Sequence, residues 1–342
     1  MKLRLRRCAP KCAGAAEMRA IVVSKPGGEI SVADIPEPRP GPGEVSLAVA
    51  YGGCNFADTM MANGSYPHPK GYPLAMGLEA SGRIVELGEG VEGFALGDRV
   101  AAFSESAGAF AQRLVVPVER LIRIPDAIGL DIAAAFYIQG LTAWHLLHNV
   151  SVTRPGDVIL LHAAGGGVGL MATQIAVAAG ARVIGTVGTR GKEKRALEFG
   201  VERVVNRDDE DFVAVALAMT GGRGVDKIVD STGGGILDRS FAAIRTLGHV
   251  VSYGEADGRP FPNLWERLVA GSLTFTRFHL GHADFHSEIW RRGVRETVGA
   301  IETGRLKPHV EETFAFERAE AMLERLASRT VAGKLLLAVN PE

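Results

Sequence analysis

The chain has 342 residues, of which 46% are hydrophobic and 23% charged, and its formal net charge is -1. This length and composition favour two globular domains and exclude a disordered chain. The near-neutral charge offers no global attraction to nucleic acid or anionic membranes, and no apolar run is long enough to predict a transmembrane helix. Three cysteines, an odd number, provide no disulfide framework and favour a reducing cytoplasm.

The first 17 residues form a basic segment without the apolar region of a secretory signal, so a disordered tail is expected. The ordered domain is expected to begin at Met18, which leads directly into a predicted first strand at 19–23. Cys8 and Cys12 lie in the tail without a second Cys or His pair nearby, so no metal site is predicted there.

Residues 21–124 consist of short apolar runs separated by glycine and proline. They predict strands at 45–50, 82–87, 98–103 and 111–116. Short strands with frequent turn residues are typical of an all-β, partly closed barrel.

After residue 124 the pattern changes to an alternation of helices and apolar strands, beginning with a helix predicted at 131–147. Strands are predicted at 158–161, 182–186, 203–206, 227–230, 249–253 and 272–277. The helices between them are predicted near 170–179, 192–199, 209–219, 236–244 and 263–268. This alternation predicts a doubly wound parallel sheet of six strands. Helices at 289–303 and 317–328 then precede a strand at 334–339, which is expected to return to the barrel.

A glycine-rich turn follows the apolar strand 158–161 and opens a helix. It comprises Ala164, Gly165, Gly166, Gly167, Val168 and Gly169, which fits the dinucleotide-binding fingerprint with Ala in place of the first Gly. Backbone N–H groups at such a helix N-terminus bind a pyrophosphate. Gly166 would allow the phosphates to approach, and Gly169 would let the helix pack closely on the strand. The turn alone is a weak signal, so the prediction of a dinucleotide site depends on the surrounding residues.

Further motifs follow one another along the chain from residue 18 to its end. They are C-N-F-A-D-T at 54–59, G-S-Y-P at 64–67, G-L-E-A-S-G at 77–82, L-G-E-G-V at 87–91, G-D-R-V at 97–100, G-L-T-A at 140–143, the glycine turn, and G-T-V-G-T at 185–189. In this order they resemble the zinc-free medium-chain dehydrogenases/reductases, and most closely the quinone oxidoreductases of the zeta-crystallin type.

The resemblance implies an α/β protein in which a GroES-like β-barrel substrate domain is joined to a six-stranded Rossmann domain. The substrate domain would comprise residues 18–141 and 280–342, and the NADPH-binding Rossmann domain residues 142–279. A cleft between them would hold the cofactor. The resemblance also implies a homodimer that pairs the last Rossmann strands, and the apolar strand 273–278 has the edge character that such pairing needs.

The cofactor favoured by the sequence is NADPH. A free ribose 2′-OH is usually held by an acid about 20 residues after the glycines, at the end of the second strand. Here Gly188, Thr189 and Arg190 stand at that tip without an acid, and the resemblance places Lys192 at the lysine that meets the 2′-phosphate. Arg207 replaces a tyrosine that often covers the adenine, so it could stack or contact the phosphate.

The resemblance assigns further residues to the cofactor groove. Four would line it, and two from the returning strand would close it: Thr142, Trp144, Tyr253 and Gly254, then Gly333 and Lys334. Gln139 stands where several relatives carry lysine, so the proton relay of those relatives is not assigned to this chain.

The zinc ligands of metal-dependent relatives fall at Asn55, Leu78 and near Ile138, none of which ligates zinc in that way. No metal site is therefore predicted. His279, His282 and His286 have suggestive spacing, but a polar loop is the favoured interpretation. Cys54 is interpreted as a packing thiol.

Without a metal, the acceptor needs a donor that stabilises the developing oxyanion. Asn55 and Tyr66 are the predicted catalytic residues, the first as an amide donor and the second as a match to a tyrosine of related enoyl reductases. Asn55 could instead only cap a turn, and Tyr66 with Pro67 could only close a loop.

The function predicted is zinc-independent hydride transfer from NADPH to a quinone or another conjugated carbonyl, a small-molecule substrate. Two alternatives stay open: an enoyl-thioester reductase that acts on a CoA or carrier-protein thioester, and a nucleotide-binding protein with little turnover. No nucleic-acid or membrane partner is expected.

Overall fold

The computed structural model describes residues 16–68, 70–258 and 263–341. Nearly all of the predicted tail, with Cys8 and Cys12, lies outside these residues, and Glu17 already belongs to the first strand. No helix within the described ranges is long and apolar enough to cross a membrane.

The first part of the chain forms mainly antiparallel strands. In chain order its elements are β1 (Glu17–Val23), β2 (Ile30–Pro36), β3 (Glu44–Cys54), α1 (Phe56–Asn63), β4 (Leu74–Ala75), β5 (Glu79–Leu87), β6 (Arg99–Phe103), β7 (Arg113–Pro117) and β8 (Leu121–Arg123).

The middle of the chain alternates strands with helices. Its elements are α2 (Leu130–Ala134), α3 (Tyr137–Trp144), a π-helical segment (His145–Val150), β9 (Val158–Leu161), α4 (Gly167–Ala178), β10 (Arg182–Val187), α5 (Glu193–Glu198), β11 (Arg203–Asn206), α6 (Phe212–Met219), β12 (Val225–Asp230), α7 (Gly234–Ser240), β13 (Ile244–Ser252), α8 (Leu264–Gly271) and β14 (Thr274–Arg277).

The last part of the chain returns to the first. It contains α9 (Glu288–Glu302), β15 (Val310–Ala315), α10 (Ala319–Ala327) and β16 (Lys334–Ala338). β16 pairs antiparallel with β3, so the final strand joins the barrel as predicted.

Three sheets result from this order. The barrel contains a small sheet, β2-β1-β4, and a larger one, β15-β16-β3-β5-β6-β8, with β7 paired to β3. The third sheet is parallel, with the order β11-β10-β9-β12-β13-β14. The chain starts this sheet in its middle and winds outward in both directions, so the carboxyl ends of β9 and β12 flank the crevice where ligands bind in such sheets.

The burial of the central parallel strands agrees with their apolar sequences. Every residue of β9 and of β12 is buried, as expected for strands covered by helices on both faces. Leu160 and Ile228 belong to one apolar cluster between the sheet and its helices. The sheet therefore holds the glycine turn, at the end of β9, on a rigid support.

The helix predicted at 131–147 is not continuous, and this prediction is corrected. It is divided into α2, α3 and the π-helical segment, with a break at Ala135 and Phe136. The buried carboxylate of Glu79 accepts the Ile138 N–H at 2.9 Å. An acid that satisfies a first-turn N–H stabilises a new helix start, which accounts for α3 beginning there.

Candidate functional site

A cavity of about 780 Å³ lies between the barrel and the carboxyl edge of the parallel sheet. The glycine turn, the end of β10 and the segments after β12, β13 and β14 form one wall. Residues of α1 and of the loop at Tyr66 form the other. Its volume falls in the range of small-molecule and cofactor sites.

The glycine turn presents the N-terminus of α4 to this cavity. Gly166 is the residue that caps α4, and the N–H groups of the first helical turn have no partner within the helix. A Cβ at Gly169 would lie 2.3 Å from the Ala163 carbonyl oxygen, so the close contact of turn and helix requires glycine. Anions are stabilised at this position by the free N–H groups and by the helix dipole.

The returning strand is hydrogen-bonded to the same turn. Gly333 N donates to Gly165 O at 3.1 Å, and Gly333 pairs with Gly166 in an isolated parallel bridge. Opposite, a Cβ at Gly167 would lie 2.1 Å from the side chain of Gln139. The turn is therefore enclosed from both sides by the barrel half of the chain.

Three cations line the part of the cavity that lies beside the glycine turn and the end of β10: Lys192, Arg207 and Arg329. The Arg207 guanidinium donates to Thr186 Oγ1 at 3.0 Å, and that of Arg329 donates to the carbonyl oxygen of Ala256 at 2.9 Å. None of the three forms a salt bridge with a carboxylate among the residues that the structure describes. Burial lowers the pKa of Lys192 to about 8 and also lowers the pKa of Arg207. Lys192 and Arg207 are half-buried, whereas Arg329 is exposed. Cations that converge without a carboxylate counterion favour a bound anion.

Arg207 also fills the space beside Gly188. A Cβ at Gly188 would lie 2.3 Å from Arg207 Nη2, so the guanidinium covers the tip of β10 where an acid would stand in an NADH-binding protein. Arg190, by contrast, is largely exposed and is paired with Asp209 at 2.7 Å.

Most of the predicted site residues line the cavity: Asn55, Tyr66, Thr142, Gly165, Gly166, Gly167, Val168, Gly169, Gly188, Thr189, Lys192, Arg207, Tyr253, Gly254 and Gly333. The structure places the other four elsewhere.

The four residues outside the lining have clear surroundings. Ala164 is fully buried behind the turn, where its N–H donates to Thr186 O. Arg190 points to Asp209. Trp144 is buried against α9, and its Nε1 donates to Glu296 at 2.8 Å. Lys334 lies beneath the cavity floor, with its side chain fully buried.

A buried cluster occupies this floor. Lys334 Nζ donates to Glu79 and, at 2.9 Å, to Asn55 Oδ1, and both charged side chains are 0% exposed. Asn55 Nδ2 donates to Glu79 at 2.8 Å and to the Gly53 carbonyl at 3.2 Å. Both amide hydrogens of Asn55 are thus engaged within the protein. Its predicted catalytic role remains a prediction, but the structure leaves it no hydrogen for an acceptor.

Two other acidic groups lie close to the cluster. The carboxylate of Asp58 accepts the Asn55 N–H at 2.7 Å, and burial raises the pKa of Asp58 to about 7. Burial also raises the pKa of Cys54 well above its usual range, which agrees with a packing thiol.

Tyr66 is half-buried on the cavity wall, and its hydroxyl lies 3.1 Å from His279 Nε2. His68 packs against His279 and His282, with ring centroids 4.3 and 5.7 Å away. This cavity is also lined by Asn55, Leu78 and Ile138, the residues that the resemblance places at or near the zinc-ligand positions of metal-dependent relatives. In the part of the chain that the structure describes, no group of three or more His, Cys, Asp or Glu is arranged to hold a metal ion.

Sequence reasoning did not find Glu79, Arg329, His68 or Lys70 as site residues. Glu79 lies within a recognised motif, but its partner Lys334 is 255 positions away. Arg329 follows α10 in a left-handed conformation with φ +59°, and no local pattern connects it to the glycine turn. The signal that could have found two of them is a basic residue without an adjacent acid, as at Lys70 and Arg329.

Comparison with known proteins agrees with this arrangement. Residues 41–126 match the family model described as the alcohol dehydrogenase GroES-like domain, and residues 167–296 match that described as a zinc-binding dehydrogenase. A quinone oxidoreductase of Salmonella typhimurium is 37% identical, over 83% of this chain and 88% of its own. A 2-haloacrylate reductase of a Burkholderia species is 35% identical, over 93% and 98%.

The fold is also shared with solved structures. The quinone oxidoreductase of Escherichia coli, crystallised in complex with NADPH, superposes with a TM-score of 0.87 at 31% identity, covering 95% of this chain and all of that one. The prediction of a GroES-like barrel domain joined to a six-stranded Rossmann domain is therefore confirmed.

Proposed function

The chain belongs to the quinone oxidoreductases of the medium-chain dehydrogenase/reductase family, and on this basis we propose that it reduces a quinone or another conjugated carbonyl with NADPH. The reaction proposed is hydride transfer without a catalytic metal. The observation that carries the choice of cofactor is the cluster of Lys192, Arg207 and Arg329, which lies beside a strand end that has no acid.

The residues of the cleft fit NADPH in two places. The free N–H groups at the start of α4 suit the pyrophosphate. The three cations, which have no carboxylate partner among the described residues, suit the 2′-phosphate. When bound, NADPH supplies the hydride. Thr142, Tyr253 and Gly254 also line the cavity, and we assign to them the orientation of the reactive end of the cofactor toward the barrel.

The barrel side of the cleft suits a flat, partly apolar acceptor. Leu78, Phe103 and Ile138 supply apolar surface there, and Tyr66 supplies a hydroxyl. We assign Tyr66 as the donor to the acceptor oxygen, where negative charge develops during reduction. The apolar walls exclude water and so strengthen this hydrogen bond.

A second candidate function is reduction of a carboxylated alkene. Lys70 and His68 lie on the same wall as Tyr66, and His282 packs against His68 from across the cavity. Lys70 forms no salt bridge with any carboxylate in the described part of the chain. A cation there would attract a substrate carboxylate, and one relative is named as a 2-haloacrylate reductase.

Oxidation of NADPH with a panel of acceptors tests the proposed function. The panel contains ortho-quinones, para-quinones, small enones, 2-chloroacrylate and crotonyl-CoA. We expect turnover with quinones or enones. Turnover of crotonyl-CoA alone would contradict the proposal, turnover of 2-chloroacrylate alone would establish the second candidate, and binding of NADPH without oxidation by any acceptor would indicate a nucleotide-binding protein.

Metal analysis tests the proposed mechanism. The resemblance places the zinc ligands of metal-dependent relatives at Asn55, Leu78 and near Ile138, and none of these three residues supplies a thiolate, an imidazole or a carboxylate. We expect less than about 0.1 zinc per chain in elemental analysis of purified protein, and full activity after dialysis against a chelator. Stoichiometric zinc whose removal abolishes activity would overturn the mechanism.

The assembly that we propose is a homodimer. β14 is the last strand of the parallel sheet, and within the described ranges no strand pairs with its outer edge. Trp265 and Val269 of the neighbouring α8 are 74% and 59% exposed. An open strand edge beside exposed apolar side chains favours pairing with a second copy.

A further inference from the structure

Tyr66 and His279 form a hydrogen-bonded pair at the substrate end of the cleft. Tyr66 Oη lies 3.1 Å from His279 Nε2, and no other partner of this hydroxyl occurs among the residues that the structure describes. Both side chains line the cavity. His279 precedes a short 3₁₀ turn, Leu280–His282, which directs the ring toward α1 and the loop at Tyr66.

The other ring nitrogen of His279 fixes where its proton resides. Nδ1 accepts the backbone N–H of Gly281 at 3.2 Å. A backbone N–H can only donate, so Nδ1 must carry a lone pair. A neutral imidazole with this constraint has its hydrogen on Nε2.

The surroundings of His279 keep it neutral. Burial is the main cause, and the nearby His68, His282, Arg277 and Lys70 add to it, so that the pKa of His279 is lowered to about 4. Nε2–H is therefore a donor, and Tyr66 Oη is its acceptor. The phenolic hydrogen of Tyr66 is then not used in this pair and is available to the cavity.

We propose that His279 is a positioning residue, whose Nε2–H holds Tyr66 Oη as an acceptor and thereby leaves the phenolic O–H free to donate to the acceptor substrate. This inference rests on the proposed function. As the conjugated carbonyl takes up the hydride, its oxygen gains the electron pair, and Tyr66 transfers its proton to that oxygen. The phenolate that remains accepts the hydrogen bond from His279 and regains a proton from water.

The direction of this hydrogen bond matters for the chemistry. Burial raises the pKa of Tyr66, which disfavours the phenolate that a proton donor leaves behind. A hydrogen bond donated by His279 stabilises that phenolate and opposes the effect of burial. With the opposite tautomer, Tyr66 would donate its hydrogen to His279 and could not donate to a substrate.

The ring tautomer can be measured without any turnover. In long-range ¹H–¹⁵N correlation spectra of labelled wild-type protein, we expect His279 to show a protonated Nε2 and an unprotonated Nδ1 at neutral pH, with the signal assigned by its loss in His279→Gln. A protonated Nδ1 or a charged ring would overturn the inference. This result does not depend on finding a substrate, so it separates failure of the inference from failure of the proposed function.

Kinetics of paired variants test the effect on the reaction. His279→Phe removes the donor, whereas His279→Gln keeps an N–H donor near the position of Nε2. We expect about a 10-fold or larger fall in kcat for His279→Phe with little change in the KM for NADPH, and most of the activity retained in His279→Gln. The exposed His286, which is absent from the cavity wall, provides the matched control His286→Phe.

A double variant separates positioning from packing. Tyr66→Phe should lower kcat about 100-fold, and adding His279→Phe to it should lower kcat no further, because His279 acts through Tyr66. Fully additive losses, or an equal loss in His279→Gln and His279→Phe, would show that His279 only supports the loop.

Discussion

Lys192→Ala is expected to weaken NADPH binding about 10- to 100-fold and to change NADH binding less than about twofold. Lys192 is half-buried and, like Arg207 and Arg329, has no carboxylate partner in the described chain. Only NADPH carries the 2′-phosphate that would pair with it. Titration of each cofactor by calorimetry gives both dissociation constants. An equal loss for the two cofactors would contradict the assignment of Lys192 to the phosphate.

The control for this variant is Lys194→Ala, which removes the same charge two residues away from a side chain that is 89% exposed and 4.0 Å from Glu198. It should leave both affinities unchanged. A second readout is the pH dependence. The ammonium of Lys192 is charged below its pKa of about 8 and loses its proton above it. NADPH affinity of the wild type should therefore fall as the pH rises past 8, and this fall should disappear in Lys192→Ala.

Lys334→Met is expected to lower the free energy of unfolding by about 3 to 5 kcal/mol. The substitution leaves the carboxylate of Glu79 fully buried without its counterion, while Asn55 Oδ1 loses its donor. The midpoint of denaturant unfolding, followed by tryptophan fluorescence, measures the loss. Lys307→Met, at an exposed lysine, is the matched control and should change the midpoint little.

The double variant Glu79→Gln with Lys334→Met should recover most of that loss. The glutamine keeps an acceptor for Ile138 N, and a rotated Asn55 amide can accept its new N–H, so no buried charge remains. If Lys334→Met alone were as stable as the wild type, water would have to reach the Glu79 carboxylate. That result would contradict the full burial of the Lys334–Glu79 pair.

The parallel-sheet half of the fold could be predicted in detail because most of its strands are largely buried on both faces. β9 and β11 were predicted at their observed bounds, since such strands are short apolar runs between turns. β2 and β15 were missed. Most of their residues are at least partly exposed, so neither shows the apolar run or the strict alternation by which strands are recognised.

The candidate site could be predicted where its residues follow one another in the chain. The glycine turn and Lys192 carry local patterns, and both line the cavity. The pairing of Lys334 with Glu79 and the approach of Arg329 to Arg207 depend on the return of the chain from the parallel sheet to the barrel. Trp144 was assigned to the groove by resemblance, but the direction of its side chain is set by α9, which packs against α3 on the opposite side.

The contact between Gly188 and Arg207 has a consequence for redesigning the cofactor preference. An aspartate at position 188 would stand at the end of β10, where an acid holds the ribose of NADH. It would also meet the Arg207 guanidinium, which occupies the space that its Cβ needs. One substitution would thus supply an acid suited to the ribose of NADH and neutralise a cation that we assign to the 2′-phosphate of NADPH. The affinity for NADH and the affinity for NADPH would therefore change in opposite directions on substitution of this one residue.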